Sequence, residues 1–468
     1  MRTSFDAVVI GAGPAGSAAA ILLAGAGWSV ALVEKQVFPR RKVCGECIAA
    51  SNLPLLDALG IGAAFEAQAG PPLRQVALMR GDDCIVADLP PFDAADARHR
   101  WGRALGRETL DTLLLERARS VGVRVLQPWA VRAIDALRSD GAEHRCTLVC
   151  VQTQAQLQLH APIVIDAHGS WEALPSERAP RRAAHKASDL FAFKANFRDA
   201  ALREGLLPVL SFDGGYGGMV VADDGVMTLA CCLRRDRLDA LRQAAPGLRV
   251  GEVVQAALAR ECAGVRNALR SALRSATREG PWLAAGPIDP GIRLRADDAL
   301  LRIGNAAGEA HPIIGEGMSM ALQSAFLLGG QLIAAASGST AWTPARQREV
   351  ARRHAAVWRR AFAPRLLLAA AFAHAAMRPL SGAALVTLAR AWPGLLTRGA
   401  RWGGKVHSAA DAILTCPARS RNDPKDAHDP AHPRTPARHP GQGLPARAGS
   451  RDRRSSVGVA GHGLARRG

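Results

Sequence analysis

Phe5-Asp6-Ala7-Val8-Val9-Ile10-Gly11-Ala12-Gly13-Pro14-Ala15-Gly16 is the stretch that decides the fold. The apolar run 5–10 reads as a buried parallel strand, and Gly11 ends it. Pro14 and the Ala- and Leu-rich stretch up to 26 read as a helix stopped near Gly27. Residues 29–33 (Ser-Val-Ala-Leu-Val) supply a second strand that ends on Glu34. Strand, helix and strand thus form one compact unit. Gly11 permits the tight turn, Gly13 lets backbone approach a pyrophosphate, and Gly16 lets helix and strand pack closely. Amides at the helix start face the phosphates. Glu34 stands at the end of the second strand, where a carboxylate can meet ribose hydroxyls. Glycines, helix, strand and acid fall in one register, and together they read as a dinucleotide site.

Outward from this unit, the spacing predicts a helix over 107–120 and a strand over 123–126. Alternation follows at 145–159, and 162–165 is another buried run. Residues 189–197, 206–212, 216–222 and 226–233 read as successive strands of an antiparallel sheet, which a hairpin over 73–90 can join. Residues 250–276 read as helical, and the parallel-type pattern returns at 300–303. The expected architecture is therefore α/β, with a discontinuous dinucleotide domain over 1–72, 100–180 and 285–345. An antiparallel β-sheet substrate domain is inserted at 73–99 and 181–284. A C-terminal helical segment follows at 346–416. Residues 417–468 are rich in Pro, Gly, Arg and Ser and read as a disordered basic tail.

Composition narrows the function. The net charge of +19 raises the question of nucleic acid, but only six of the 60 basic residues are lysine. The arginines are scattered, and no zinc-finger spacing or aromatic-interleaved basic stripe accompanies them, so nucleic acid is not expected as a partner. Nine unevenly spaced cysteines argue against a disulfide framework and for a reducing, cytoplasmic compartment. No signal peptide is expected, and no apolar run reaches the ~18–20 residues that span a bilayer. The apolar stretches 366–377 and 383–396 leave peripheral membrane contact open as an alternative to buried helices. No obligate protein partner and no metal are expected; Cys44-x-x-Cys47 lacks a convincing second pair of zinc ligands.

Asp6 to Lys35 resembles the amino-terminal fingerprint of FAD-dependent oxidoreductases, the superfamily that holds geranylgeranyl reductases, aromatic-ring hydroxylases and flavin halogenases. The resemblance covers roughly residues 5 to 340 and implies a Rossmann-like FAD-binding domain of the glutathione-reductase type. It implies FAD contacts from Gly11, Gly13, Pro14, Ala15, Gly16, Glu34 and Lys35. Phe38-Pro39-Arg40-Arg41-Lys42-Val43-Cys44-Gly45-Glu46-Cys47 contains a Cys-Gly pair similar to one beside the flavin in geranylgeranyl reductases. Arg41, Cys44 and Gly45 join the expected contacts, with Cys44 able to shape the pocket or supply a proton. A structural cysteine and a Cys44/Cys47 redox pair are the alternatives. Arg107-Glu-Thr-Leu-Asp111 resembles a helix opening whose arginine reaches FAD, and Val131 is expected to flank the adenine.

Gly304-Asn305-Ala306-Ala307-Gly308-Glu309-Ala310-His311-Pro312-Ile313-Ile314-Gly315-Glu316-Gly317-Met318 resembles the second FAD motif, with Asn305 in place of the usual Asp. Gly304, Asn305, Gly315, Gly317 and Met318 are implied cofactor contacts, and Pro312 is implied to lie by the flavin ring. Asp166-Ala167-His168-Gly169 stands where aromatic hydroxylases carry Gly-Ala-Asp-Gly, with His168 replacing the aspartate. Gly214-Gly215-Tyr216-Gly217-Gly218 resembles the Gly-Gly-Tyr-Gly of geranylgeranyl reductases and makes Tyr216 a candidate catalytic group beside Cys44 and Pro312. The resemblance implies a flavoenzyme acting on a hydrophobic isoprenoid, polyketide or phenol-like substrate, with NAD(P)H as a candidate electron donor. Carbon–carbon double-bond reduction is favoured over hydroxylation of an aromatic or quinone-like substrate. A lipid-holding escort on the same fold is the non-catalytic alternative. Halogenation is disfavoured, since the Trp-x-Trp-x-Ile-Pro motif is absent.

Overall fold

The computed structural model describes residues 2–136, 143–170, 186–270, 275–295, 300–337 and 341–408. The expected disordered tail over 417–468 lies outside the described residues. Four-residue runs without a polar side chain, Ala7–Ile10 and Val30–Val33, are wholly buried and sit at the centre of a five-stranded parallel sheet. The order across it is Leu301–Arg302, Ile163–Asp166, Ala7–Ile10, Val30–Val33 and Arg124–Leu126. Helices Pro14–Gly25, Arg107–Ser120 and Gly317–Ala336 share one hydrophobic core with the face of this sheet. A three-stranded antiparallel sheet, Gln156–Ala161, His144–Cys150 and Trp129–Ala136, packs on the sheet's other side through Phe5, Val8, Cys146 and Leu148.

The second large element is a seven-stranded sheet. It runs Thr277–Ile288, Leu190–Arg198, Met227–Arg234, Gly215–Val221, Leu206–Phe212, Gln75–Arg80 and Asp83–Asp88. Neighbours are antiparallel except Leu206–Phe212 with Gln75–Arg80, which pair in parallel. The hairpin over 73–90 therefore does join this sheet, as its alternation implied. Helices Arg235–Ala244, Val250–Glu261 and Ala263–Leu269 supply residues to the core that covers one face. The expected continuous helix over 250–276 is broken at Cys262, whose backbone is extended (φ −140°, ψ 112°). Thr277–Ile288 was not anticipated as a strand, and it runs across the domain boundary expected at 284.

Beyond 341 the chain forms Pro344–Ala376, Pro379–Ala391 and Gly394–Trp402, the first two bent by 107° where they meet. Among the described residues, the helix Gly317–Ala336 is long and apolar enough to cross a bilayer, although Ser319, Gln323, Ser324 and Gln331 interrupt its apolar sequence. It is mostly buried, and its Ser324 hydroxyl accepts the Gly304 N–H at 2.9 Å, so it acts as an interior helix.

The glycine loop is held by contacts that leave no room for a side chain. A Cβ on Gly16 would lie 1.9 Å from the Gly11 carbonyl oxygen, and one on Gly11, at φ +99°, would lie 2.5 Å from that of Ala167. Gly16→Ala is expected to lower stability by about 1–3 kcal/mol through overpacking, read by thermal denaturation. An unchanged melting temperature would show that the helix and strand can separate without cost.

Candidate functional site

A cavity of about 520 Å³ begins at the glycine loop and ends between the seven-stranded sheet and the C-terminal helices. Of the sequence candidates, Gly11, Gly13, Pro14, Ala15, Glu34, Cys44, Gly45 and Arg107 line it. Gly304, Asn305, Pro312, Gly315, Gly317, Met318 and Tyr216 also line it. Two loops some 300 residues apart in sequence thus meet on one space. Gly16 stands behind the loop, in the packing contact just described.

Three candidates lie elsewhere. Arg41 turns outward and donates to Glu108 at 3.1 Å and to the Glu279 carbonyl at 3.0 Å. Lys35 is exposed and does not line the cavity. Val131 sits on the three-stranded sheet opposite Leu148 and packs toward the core shared by that sheet. Arg40 and Lys42, on either side of Arg41, take the inward positions instead. The signal was present in the run Arg40-Arg41-Lys42, but an irregular loop has no period from which to read which cation turns inward.

Three cations converge on the glycine loop. Arg107 grips Asp111 with two hydrogen bonds, at 2.8 and 2.7 Å, both groups being buried. Arg40 lies 3.6 Å from Asp111 and 3.7 Å from Glu34. Glu34 also accepts the backbone N–H groups of Ala12 at 3.0 Å and Gln36 at 2.9 Å, so its carboxylate braces the loop. Burial pulls the Lys42 ammonium down to about 8, helped by repulsion from Arg107 and Arg40. A cluster so crowded with positive charge favours an anion. The arrangement fits the pyrophosphate of FAD: the Arg107 guanidinium stands over Gly13, 3.7 Å from where a Cβ would lie, and the glycine leaves the space beside that charge to a phosphate.

The second loop is braced in the same way. Asn305 donates to Ser170 at 2.7 Å and to Glu309 at 3.2 Å, and Glu309 pairs with Arg293 at 2.9 Å. Gly315 adopts a left-handed backbone (φ +63°), and its carbonyl accepts from Lys405 at 3.2 Å. Lys405 also pairs with the fully buried Glu316 at 3.0 Å. Gly317 then opens the helix Gly317–Ala336, whose start faces the cavity. Asn305 could hold a ribityl hydroxyl and the helix amides the flavin's N1–O2 edge.

Sequence reasoning gave no role to Glu46 or to the pairing of His311 with Tyr216 and His374, whereas His168 and Tyr216 were candidates. Glu46, 1% exposed and in the left-handed region (φ 58°), accepts the Arg107 N–H at 2.9 Å and binds Lys194 and Thr228. His168 lines the cavity, its ring nitrogen held by the buried Asp166. At the far side, the Tyr216 hydroxyl lies 3.2 Å from His311 Nδ1, and the ring of His374 is 5.4 Å from that of His311. Burial pushes the Tyr216 phenol well above its usual range, and the Cys232 thiol beside it is pushed up to about 12. Burial and the neighbouring His374 pull His311 down to about 4. Leu368, Phe372, Leu385 and Leu396 make the remaining wall apolar. Cys44 and Cys47 are both free thiols, Cys47 lying 3.8 Å from the Lys405 ammonium.

An anion beside Lys42 favours its protonated form, so FAD affinity should be full below about pH 8 and fall as the pH rises past that value. Lys42→Met should weaken FAD binding about ten- to hundredfold, the loss of one charge-assisted hydrogen bond, and flatten the pH dependence. Flavin fluorescence titration from pH 7 to about 10 reads both effects. A pH-dependent affinity that survives the substitution would remove Lys42 from the account.

Comparison with known proteins agrees with this geometry. The FAD binding domain family matches residues 4–229. A tryptophan 2-halogenase of Chondromyces crocatus is 36% identical over 127 residues, 27% of this chain and 23% of that protein. A menaquinone reductase of Mycobacterium tuberculosis is 30% identical over 165 residues, 33% of this chain and 39% of that protein. The chain therefore spans well under half the length of these two curated relatives. Among solved structures, the flavin-dependent brominase Bmp2 superposes with a TM-score of 0.64 at 17% identity, covering 88% of this chain and 97% of that one. Residues 4–229 thus carry an FAD binding domain, and the chain shares the fold of a flavin-dependent enzyme, with one cavity that joins its two glycine loops.

Proposed function

We propose that the protein reduces a carbon–carbon double bond in a hydrophobic substrate of isoprenoid, polyketide or quinone-like type. The carrying observation is the Tyr216 hydroxyl, 1% exposed and 3.2 Å from His311, on the apolar part of the cavity that reaches the glycine loop. FAD, once reduced by NADPH or NADH, would supply the hydride here. Reduction then needs one proton at the other carbon, and a neutral phenol in a dry pocket is suited to deliver it. In the tautomer with the proton on Nδ1, His311 donates to the tyrosine oxygen and leaves the phenolic O–H to the substrate. The same contact stabilises the phenolate left behind. His374 stands next to His311 and can pass a proton inward from the surface. Arg107, Arg40 and Lys42 hold the cofactor's charge, and Cys44 shapes the space between cofactor and sheet. NADPH or NADH is the candidate reductant.

A second reading, in which oxygen is consumed to hydroxylate or halogenate the substrate, is supported by the likeness to the halogenases and the brominase. The escort reading fits less well, since both cofactor loops are intact.

Tyr216→Phe keeps the ring and removes the proton. It should slow reoxidation of the dithionite-reduced protein by its substrate about 10²- to 10⁴-fold, with FAD retention and reduction unchanged. The wild-type rate should show no inflection between about pH 5 and 8, below the loss of the Lys42 charge, because burial pulls His311 down to about 4 and pushes the phenol above its usual range. An unimpaired Phe variant would exclude Tyr216 as the proton donor.

A further inference from the structure

The outward face of the helix Pro379–Ala391 is apolar. Its exposed positions include Leu380, Ala383, Ala384, Thr387, Leu388 and Ala391, three and four residues apart, while Gly382, Val386 and Ala389 turn inward. A helix on a protein surface ordinarily turns charge outward. Here Leu380 is 88% exposed, and Trp392, one turn beyond Leu388, is 63% exposed. The inner side is already covered: the helix packs on the strands Gln75–Arg80 and Asp83–Asp88. The next helix, Gly394–Trp402, ends on a tryptophan that is 65% exposed.

Charge on this segment has one sign. Residues 350–408 contain nine arginines and one lysine, and no aspartate or glutamate. Arg390 pairs with Asp83, whereas Arg378, just before this helix, and Arg398 and Arg401, on the next one, stand exposed. Arg398 lies one helical turn before Trp402, so cation and indole share a side. Leu388 and Trp402 are both exposed and part of the cavity wall, which puts the cavity mouth on this same face.

We propose that this face seats on an anionic lipid bilayer, so that a lipid-soluble substrate enters between Leu388 and Trp402 without crossing water. The docking surface rests on the hydrophobic-substrate reading for its purpose, not for its existence. Tryptophan and leucine settle at the level of lipid headgroups and upper chains, and arginines are drawn to anionic headgroups. Leucine, alanine and threonine form a stripe with few groups to specify a protein partner. A bilayer asks only for apolar area and positive charge.

The test is co-sedimentation of the full chain with vesicles of phosphatidylcholine, with and without phosphatidylglycerol. Binding should require the anionic lipid and weaken as salt is added. Arg398→Gln and Arg401→Gln should each reduce binding about fivefold. Leu380→Ser with Ala384→Asp should abolish binding, with the circular dichroism spectrum and turnover of a short soluble substrate unchanged. Absence of vesicle binding, or equal binding by all variants, would overturn the proposal. So would a dimer, or a complex with an acyl carrier protein, broken by these substitutions in a chain that ignores vesicles. Vesicle binding without reduction of any lipid would count against the reduction chemistry and leave the docking face standing.

Discussion

The Glu46 carboxylate is the contact on which the site depends. It takes the N–H that opens the helix Arg107–Ser120, over the parallel sheet, and binds Lys194 and Thr228 on two strands of the other sheet. Burying such charges repays its cost only when every partner is in place, and losing one partner of a buried pair costs about 3–5 kcal/mol. The chain also accepts a left-handed backbone at Glu46 to reach this geometry. The contact ties the start of that helix to the seven-stranded sheet, and the Glu46 N–H lies 3.4 Å from the neighbouring Cys44 sulfur.

Everything along the cavity follows from that clamp. At one end the glycine loop is met by three cations and only two carboxylates, Asp111 and Glu34, an excess of positive charge that suits a pyrophosphate. At the other end the walls are apolar, and the polar groups that remain, Tyr216 and His311, stay neutral across the ordinary pH range. Between the ends, Gly315 and Gly317 bring a helix start to the cavity while Lys405 and Glu316 pair behind it. Charge is thus concentrated where a cofactor is held, and is excluded where a hydrophobic substrate would react.

Much of this was legible in the sequence, and the reasons differ by element. The glycine loop is local: turn, close approach and packing are each met by one residue within a short span. The buried runs and the 73–90 hairpin carry regular periods. Thr277–Ile288 does not, since Gly280, Pro281, Gly286 and Pro287 interrupt it and its pairing with Leu190–Arg198 shifts register twice. Arg41 was read inward where Arg40 and Lys42 are found, because loop side chains follow no period. The pairing of Tyr216 with His311 joins residues 95 positions apart, and Glu46 with Lys194 joins residues 148 apart; no spacing encodes such contacts. The C-terminal helices were legible as helices, but not as walls of the cavity.

The central claim is that reducing equivalents pass from the bound cofactor to a carbon–carbon double bond in the apolar end of the cavity. The direct measurement is a single turnover under strict anaerobiosis: dithionite-reduced protein mixed with a polyprenyl quinone or a geranylgeranyl lipid, the product being quantified against flavin reoxidised. The account predicts one saturated bond per flavin with no oxygen present. Product that forms only when oxygen is admitted, carrying a new hydroxyl or halogen, would contradict it.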